Sequence, residues 1–296
     1  MSRFRHSLIQ PDSVQKPYVL RLSCAQQPGI VQAVTTFLFE RNFDIQEHQQ
    51  FDDAYLDRFY LRTAFNSSAS VPEIAKLTAE FSEIAKRFDM KFEFHEPSPI
   101  KIVALVSKEG HCLNDLLFRW RAGSLGGELV AVASNHEALK TMVDAADLPF
   151  VHIPMTAATR AESEKKYRAF IKEYDADLIV LARFMQVFSD EFVTDYSSRA
   201  INIHHSFLPG FKGGKPYHQA YDRGVKLVGA TAHYITAELD EGPIIEQDVV
   251  RVNHSFDPSA MATIGRDVET SVLSRAVKWH AEHRVVNDGH RTIVFN

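Results

Sequence analysis

Four short apolar runs, residues 102–106, 129–133, 178–181 and 200–203, alternate with segments that are helical or polar in pattern. A strand that is apolar throughout must be covered on both faces, and helices returning between parallel strands supply that cover. The alternation therefore restricts most of the chain to an open, mostly parallel α/β sheet. Residues 228–235 and 243–250 read as a pair of longer strands at one side of that sheet, joined by a polar turn with Asp240, Glu241 and Gly242. The last element, about 258–283, carries Ile264, Val268, Val272, Ala276 and Trp279 at helical spacing.

The N-terminal part follows a different grammar. Residues 18–23 read as a strand and Gln26-Gln-Pro-Gly29 as a turn, and then Ile30, Val34, Phe37, Leu38 and Arg41 recur at helical spacing. Strands are expected at 45–51 and 56–65; in the second, Phe59, Leu61, Thr63 and Phe65 alternate with Tyr60, Arg62 and Ala64. A helix follows with Ile74, Leu77, Phe81, Ile84, Ala85 and Phe88 inward, and 91–95 closes as a strand. This βαββαβ order is the ferredoxin-like unit. Glu96-Pro-Ser-Pro99 then breaks the chain, because two prolines continue neither a helix nor a ladder. The expected organisation is a loose arm over 1–16, a small βαββαβ domain over 17–95, a linker over 96–100 and an α/β domain over 101–296.

Composition narrows the function classes. In 296 residues, Lys+Arg number 33 against Asp+Glu 38, a net charge of −5, and no long run of like charge occurs. Nothing electrostatic recommends a nucleic acid or an anionic membrane as partner. Two cysteines, Cys24 and Cys112, are too few for a disulfide framework. The opening MSRFRHSLIQPDS lacks the apolar stretch of a signal peptide, and no apolar segment approaches a membrane span. A cytoplasmic protein is expected.

In open α/β sheets ligands bind beyond the carboxyl ends of the strands, and Asn202 and His204 fall at such an end. Two readings of the surrounding residues compete. Histidines 204, 205, 218, 233 and 254, with Asp222, Asp240 and Glu246, suggest a metal. However, His204 and His205 are adjacent and on a strand would face opposite sides, and no His-Glu-x-x-His occurs. In the metal-free reading, Asn202 and His204 share i, i+2 spacing and one face, so an amide and an imidazole can together donate to a developing oxyanion. Asp240, in the later turn, would then raise the histidine's basicity and relay a proton. A third reading makes these residues local hydrogen-bonding groups of an ordinary turn.

Asn202-Ile-His-His-Ser-Phe-Leu-Pro209, read with Thr236-Ala-Glu-Leu-Asp240-Glu-Gly-Pro243, resembles the formyltetrahydrofolate-using hydrolases and transferases. The 38-residue interval from Asn202 to Asp240 is that of the family signature, and Leu178-Ile-Val-Leu-Ala-Arg-Phe-Met-Gln186 and Pro243-Ile-Ile-Glu-Gln247 also fit. The similarity spans about 100–285. Residues 17–95, with their Pro-Gly-Ile-Val entry to a helix, resemble an ACT domain. An ACT domain ahead of a formyl-transfer domain is the arrangement of the deformylases, whereas glycinamide ribonucleotide transformylase begins with its catalytic domain. Ser107-Lys-Glu-Gly-His-Cys-Leu-Asn-Asp115 holds one glycine, unlike the glycine-rich phosphate loop of that transformylase, and is similar to the corresponding run of the deformylases.

The resemblance implies hydrolysis of N10-formyltetrahydrofolate to formate and tetrahydrofolate, supplying formate for one-carbon and purine metabolism. Asn202, His204 and Asp240 would be catalytic. Arg183, Phe184, Met185, Gln186 and Val187 would form one wall of the folate site and Ile235, Thr236, Ala237 and Glu238 the other. Ser206, Tyr217 and His218 are candidates for the cleft, with Tyr217 and His218 read equally as the start of a helix that serves packing, and His205 is read as a residue that supports the site or makes the backbone turn. His111 and Cys112, at a helix start, are read either as functional groups or as simple helix-start residues. No metal and no prosthetic group is implied. The alternative is formyl transfer to an amine acceptor by the same three residues. The N-terminal domain implies an amino-acid effector, glycine or methionine, although Gln26 stands where such sites often carry an acid. It also implies a homo-oligomer.

Overall fold

The computed structural model describes residues 16–67, 73–210 and 216–296. The arm expected over 1–16 therefore lies, except for Lys16, outside the described residues. The chain divides into two compact units, Met1–Ser98 and Pro99–Asn296.

In the first unit the order is β1 (Tyr18–Ala25), α1 (Ile30–Phe39), β2 (Phe43–Asp53), β3 (Arg58–Ser67), α2 (Ile74–Phe88) and β4 (Lys91–His95). The strands form one antiparallel sheet in the order β2-β3-β1-β4. Alternation on β1 sends Tyr18, Leu20, Leu22 and Cys24 into a core with Phe59, Leu61 and Phe65 of β3 and the apolar stripes of both helices. Phe81 sits centrally, edge-on to Phe37 at 5.0 Å and to Phe94 at 5.6 Å between centroids. The helical spacing of the sequence extends to Arg41, but α1 stops at Phe39 and Asn42 turns left-handed at φ 56°. Arg41 instead folds back, its Nη1 donating to the Phe37 carbonyl at 2.9 Å and its Nε to Glu80 at 2.8 Å.

The second unit runs β5 (Lys101–Val106), α3 (His111–Arg121), β6 (Glu128–Ser134), α4 (Lys140–Asp144), β7 (Phe150–His152), α5 (Arg160–Glu173), β8 (Leu178–Leu181), α6 (Asp190–Tyr196), β9 (Ala200–His204) and α7 (Pro216–Asp222). It continues with β10 (Leu227–Tyr234), β11 (Ile244–Arg251), α8 (Pro258–Ala281), β12 (Val285–Asp288) and β13 (Arg291–Val294). Seven strands form a sheet in the order β11-β10-β9-β8-β5-β6-β7. The pairs from β9 to β7 are parallel, and β10 reverses against both β9 and β11. The short β12–β13 hairpin is not foreshadowed by the apolar pattern.

Each face of this sheet has its own core. Ile102, Ala104, Val180, Ile201 and Ile203 pack with Leu113 and Leu116 of α3 and Val272, Leu273, Ala276 and Val277 of α8. Val103, Leu105, Ile179, Leu181 and Ala200 pack with Tyr167 and Phe170 of α5 and Phe192 and Val193 of α6. Alternation along β9 thus commits Ile201 and Ile203 to the first face and places Ala200, Asn202 and His204 on the second.

Candidate active site

Asn202 and His233 are directly opposed in the antiparallel pairing of β9 with β10, and so are His204 and Thr231. The Asn202 Nδ2 and His233 Nε2 atoms lie 3.2 Å apart, and His233 Nδ1 lies 2.8 Å from the Tyr234 carbonyl oxygen. That carbonyl only accepts, so Nδ1 carries the proton and Nε2 accepts from the Asn202 amide. Burial holds the His233 pKa below the ordinary imidazole value, which keeps this neutral tautomer in place. The Asn202 amide is thereby fixed with its second N–H free to donate elsewhere. His233 entered the sequence reading only as a candidate metal ligand; its role as the orienter of Asn202 depends on a cross-strand register that residue spacing does not carry.

The turn from β10 to β11 delivers the carboxylate. Gly242 passes so close to Tyr234 that a Cβ on it would sit 1.7 Å from the Tyr234 carbonyl oxygen. Only glycine permits this fold-back. Asp240, left-handed at φ 60°, then reaches the face of β9, where its Oδ2 lies 3.2 Å from His204 Nδ1 and its Oδ1 3.8 Å from His233 Nε2. Burial would raise the Asp240 pKa, but the His204 hydrogen bond and the surrounding imidazoles outweigh it and hold the group below the ordinary carboxylate value. His204 is 5% exposed, and its other nitrogen, Nε2, is buried with no hydrogen-bond partner.

A cavity of about 290 Å³ opens on this face. Asn202, His204, His205, His233 and Asp240 line it at one end, and Arg183, Phe184, Met185, Gln186, Val187, Ile235, Thr236 and Ala237 form its walls. Phe188 and Val193, which sequence reasoning did not single out, line it as well, with Leu181 and Leu239 from the two quoted runs. The loop after β8 is strapped down where the Met185 amide donates to Ser107 Oγ at 2.9 Å and that hydroxyl donates to Asn135 at 2.7 Å. Met185 and Leu239 are exposed at the rim, whereas Phe184 and Phe188 are buried and stacked 5.3 Å apart. The result is an apolar slot for a flat ring with hydrogen-bonding groups at its end.

Several expectations change. Glu238 is exposed and does not line the cavity; its carbonyl accepts from Thr236 Oγ1 at 2.9 Å, which turns the segment and carries the side chain outward. His204 and His205 do not face opposite sides. The strand ends at His204, alternation ends with it, and the two rings lie 5.2 Å apart on the same cavity. Ser206 and Tyr217 line a separate cavity of about 310 Å³, and His218 is exposed.

The second unit matches the family model described as formyl transferase over residues 100–277. Formyltetrahydrofolate deformylase of Bacillus subtilis is 48% identical over 279 residues, covering 94% of this chain and 93% of that protein. The crystal structure of a formyltetrahydrofolate deformylase from Burkholderia mallei, 46% identical, superposes with a TM-score of 0.88 over 95% of this chain and 100% of the other. A glycinamide ribonucleotide transformylase from Symbiobacterium toebii, 30% identical, covers only 67% of this chain, with a TM-score of 0.63. The chain belongs to the formyltetrahydrofolate deformylase family.

Within this deformylase-family fold a second buried group adjoins the first. Glu269 of α8 is 1% exposed. Its Oε2 lies 2.7 Å from His111 Nε2 and 3.4 Å from Arg183 Nε, and its Oε1 accepts from the Tyr217 hydroxyl at 2.8 Å. Burial would raise its pKa, yet the His111 hydrogen bond and the Arg183 charge hold it below the ordinary value. The signal for Glu269 was present: it falls on the buried stripe of α8 with Met261, Gly265, Val272 and Leu273, where a lone acid demands partners. Those partners come from distant segments and are invisible in the spacing.

Among the described residues, His111, Cys112 and Glu269 bring three metal-ligating atoms within 4.8 Å of one another. Their chemistry does not suit a cation. His111 and Glu269 already hydrogen-bond, the Arg183 guanidinium stands beside the carboxylate, and burial and then the Glu269 charge push the Cys112 thiol well up. A buried neutral thiol is neither a ready ligand nor a nucleophile.

Proposed function

We propose that the chain hydrolyses N10-formyltetrahydrofolate to formate and tetrahydrofolate, with Asn202, His204 and Asp240 as the reacting group. One observation carries this reading: an oriented amide, a buried unpartnered imidazole nitrogen and an ionised carboxylate converge at the end of an apolar slot. The pterin ring system fits the slot between the 183–187 and 235–237 walls, with the formyl group toward Asn202 and His204. Water bonds to the formyl carbon, and the carbonyl oxygen, becoming anionic, faces the Asn202 amide and the His204 ring. The proton lost by the water passes to the His204–Asp240 pair and reaches N10 as the carbon–nitrogen bond breaks. Formic acid then ionises, leaving formate and tetrahydrofolate. The residues present need no metal for these steps.

The test is to incubate purified protein with N10-formyltetrahydrofolate alone and measure formate and tetrahydrofolate. Equal amounts of both without any amine present support hydrolysis. A requirement for an added amine, with formylated amine as product, would establish transfer instead. Formate so made would serve one-carbon and purine metabolism in the cytoplasm. The βαββαβ order of the first unit supports an ACT-type role for it, in self-association and in answering glycine or methionine. No helix among the described residues is long and apolar enough to cross a membrane.

A further inference from the structure

Two groups on the cavity wall have no part in the steps above. His205 lies between the reacting group and the Glu269 cluster, its ring 5.2 Å from that of His204 and 6.2 Å from that of Tyr217. Among the described residues nothing hydrogen-bonds its nitrogens. Arg183 lines the same cavity from a left-handed backbone position, φ 63°. A non-glycine residue in that region is held there by its surroundings and marks a place where side-chain aim matters. Its Nε faces Glu269 at 3.4 Å, and its Nη1 is buried without a hydrogen-bond partner. The Glu269 oxygens are shared with His111 and Tyr217, and neither gives Nη1 an acceptor. A buried guanidinium donor without a partner calls for one.

The reaction supplies it. Hydrolysis creates an anion in the cavity that Asp240, already negative, also lines, and among the described residues the arginine on that wall is Arg183. We propose that Arg183 and His205 form the subsite that receives the product carboxylate, a small planar monocarboxylate such as formate, with Glu269 as the positioning residue for Arg183. The guanidinium donates to the formate oxygens and the neutral imidazole donates through one N–H. Burial and then the Arg183 charge hold His205 down to about 4, so it stays neutral at physiological pH and adds no competing charge. This assignment rests on the hydrolytic reading and makes Arg183 a product-binding group as well as part of the folate wall.

Binding of ¹³C-formate to the full-length protein, followed by NMR line broadening in the presence of tetrahydrofolate, tests the subsite apart from turnover. Formate inhibition of hydrolysis, against sodium chloride at equal ionic strength, tests it during turnover. Arg183→Gln is expected to weaken formate about tenfold or more, the loss of a charge-assisted contact. Glu269→Gln should act in the same direction, and His205→Gln should retain more formate affinity than His205→Ala. Should Arg183→Gln not fold, Arg183→Lys and the two His205 variants carry the same comparison. Unchanged formate affinity in folded Arg183 and His205 variants, or no formate binding by the parent protein, overturns the proposal. So does a large rise in KM with formate affinity intact, which would make Arg183 a folate contact only. A parent protein that binds formate but releases none from N10-formyltetrahydrofolate would refute the hydrolytic reading and leave the anion site standing.

Discussion

At the scale of single residues, a two-residue step on a strand gave Asn202 and His204 a shared face, and the family interval added Asp240. The structure puts all three on one cavity. The opposite-faces argument for His204 and His205 fails because it carries the same rule one residue past the strand end. Removing one oxyanion donor costs about 10²–10³-fold in turnover, and that loss is expected for His204→Ala. Asp240→Asn should abolish formate release. Both variants should bind tetrahydrofolate with nearly parental affinity in a fluorescence titration, and near-parental turnover in either one would refute the assigned roles. Gly242→Ala makes a harsher test, because its Cβ would collide with the Tyr234 carbonyl. Overpacking of this kind costs about 1–3 kcal/mol, so a lower urea midpoint is expected together with loss of activity as Asp240 is displaced.

At the scale of elements, the strands and helices assigned bounds from apolar periodicity lie within a residue or two of the observed ones. β7 and the helices α3 to α7 were given no bounds, and the misses have physical causes. The β12–β13 hairpin, with burial mostly intermediate along both strands, carries little alternation to read. On α8 the apolar residues Ile264 and Val268 are only partly buried, while Gly265 and Glu269 are fully buried. A Cβ on Gly265 would lie 1.9 Å from the Tyr217 hydroxyl, so the tyrosine would have to move. Gly265→Ala should therefore push Tyr217 off Glu269, and a deeper change should follow in kcat than in KM, measured by steady-state kinetics. In the first unit, Phe81→Ala removes the hub of the aromatic core and should destabilise that unit by about 3–5 kcal/mol, read from denaturant unfolding.

At the scale of the whole molecule, imidazoles held down by burial set an acid response, His48 and His95 in the first unit and His205 and His233 in the second. Burial first, and then neighbouring charge at His205, hold His205 at about 4 and His233 also below the ordinary 6.5. Below pH 6.5 the unfolded chain takes up protons that the folded chain refuses, so their stabilisation is complete above 6.5 and is lost as the pH falls toward 4. Asp240 works lower: its contribution is present above 3.8 and disappears as pH falls through its depressed folded value. The melting temperature should drop between pH 7 and pH 5, and His205→Gln should reduce that drop in a calorimetric series. The fold class was legible because two grammars of periodicity, divided by a proline pair, need no knowledge of tertiary contacts. The Glu269 cluster was not, since every one of its bonds is tertiary.

That difference has a consequence for how the site comes into being. Asn202 and His204 on β9, His233 on β10 and Asp240 in the turn that follows all fall within the 38-residue interval from 202 to 240, and closing short loops costs little entropy. The His111–Glu269 bond joins residues 158 apart and forms only when α8 docks beside α3. During refolding, the chemistry-bearing β9–β10 pair and its turn can therefore take shape while the neighbouring wall is still open, and α8 docking is the event that seals it.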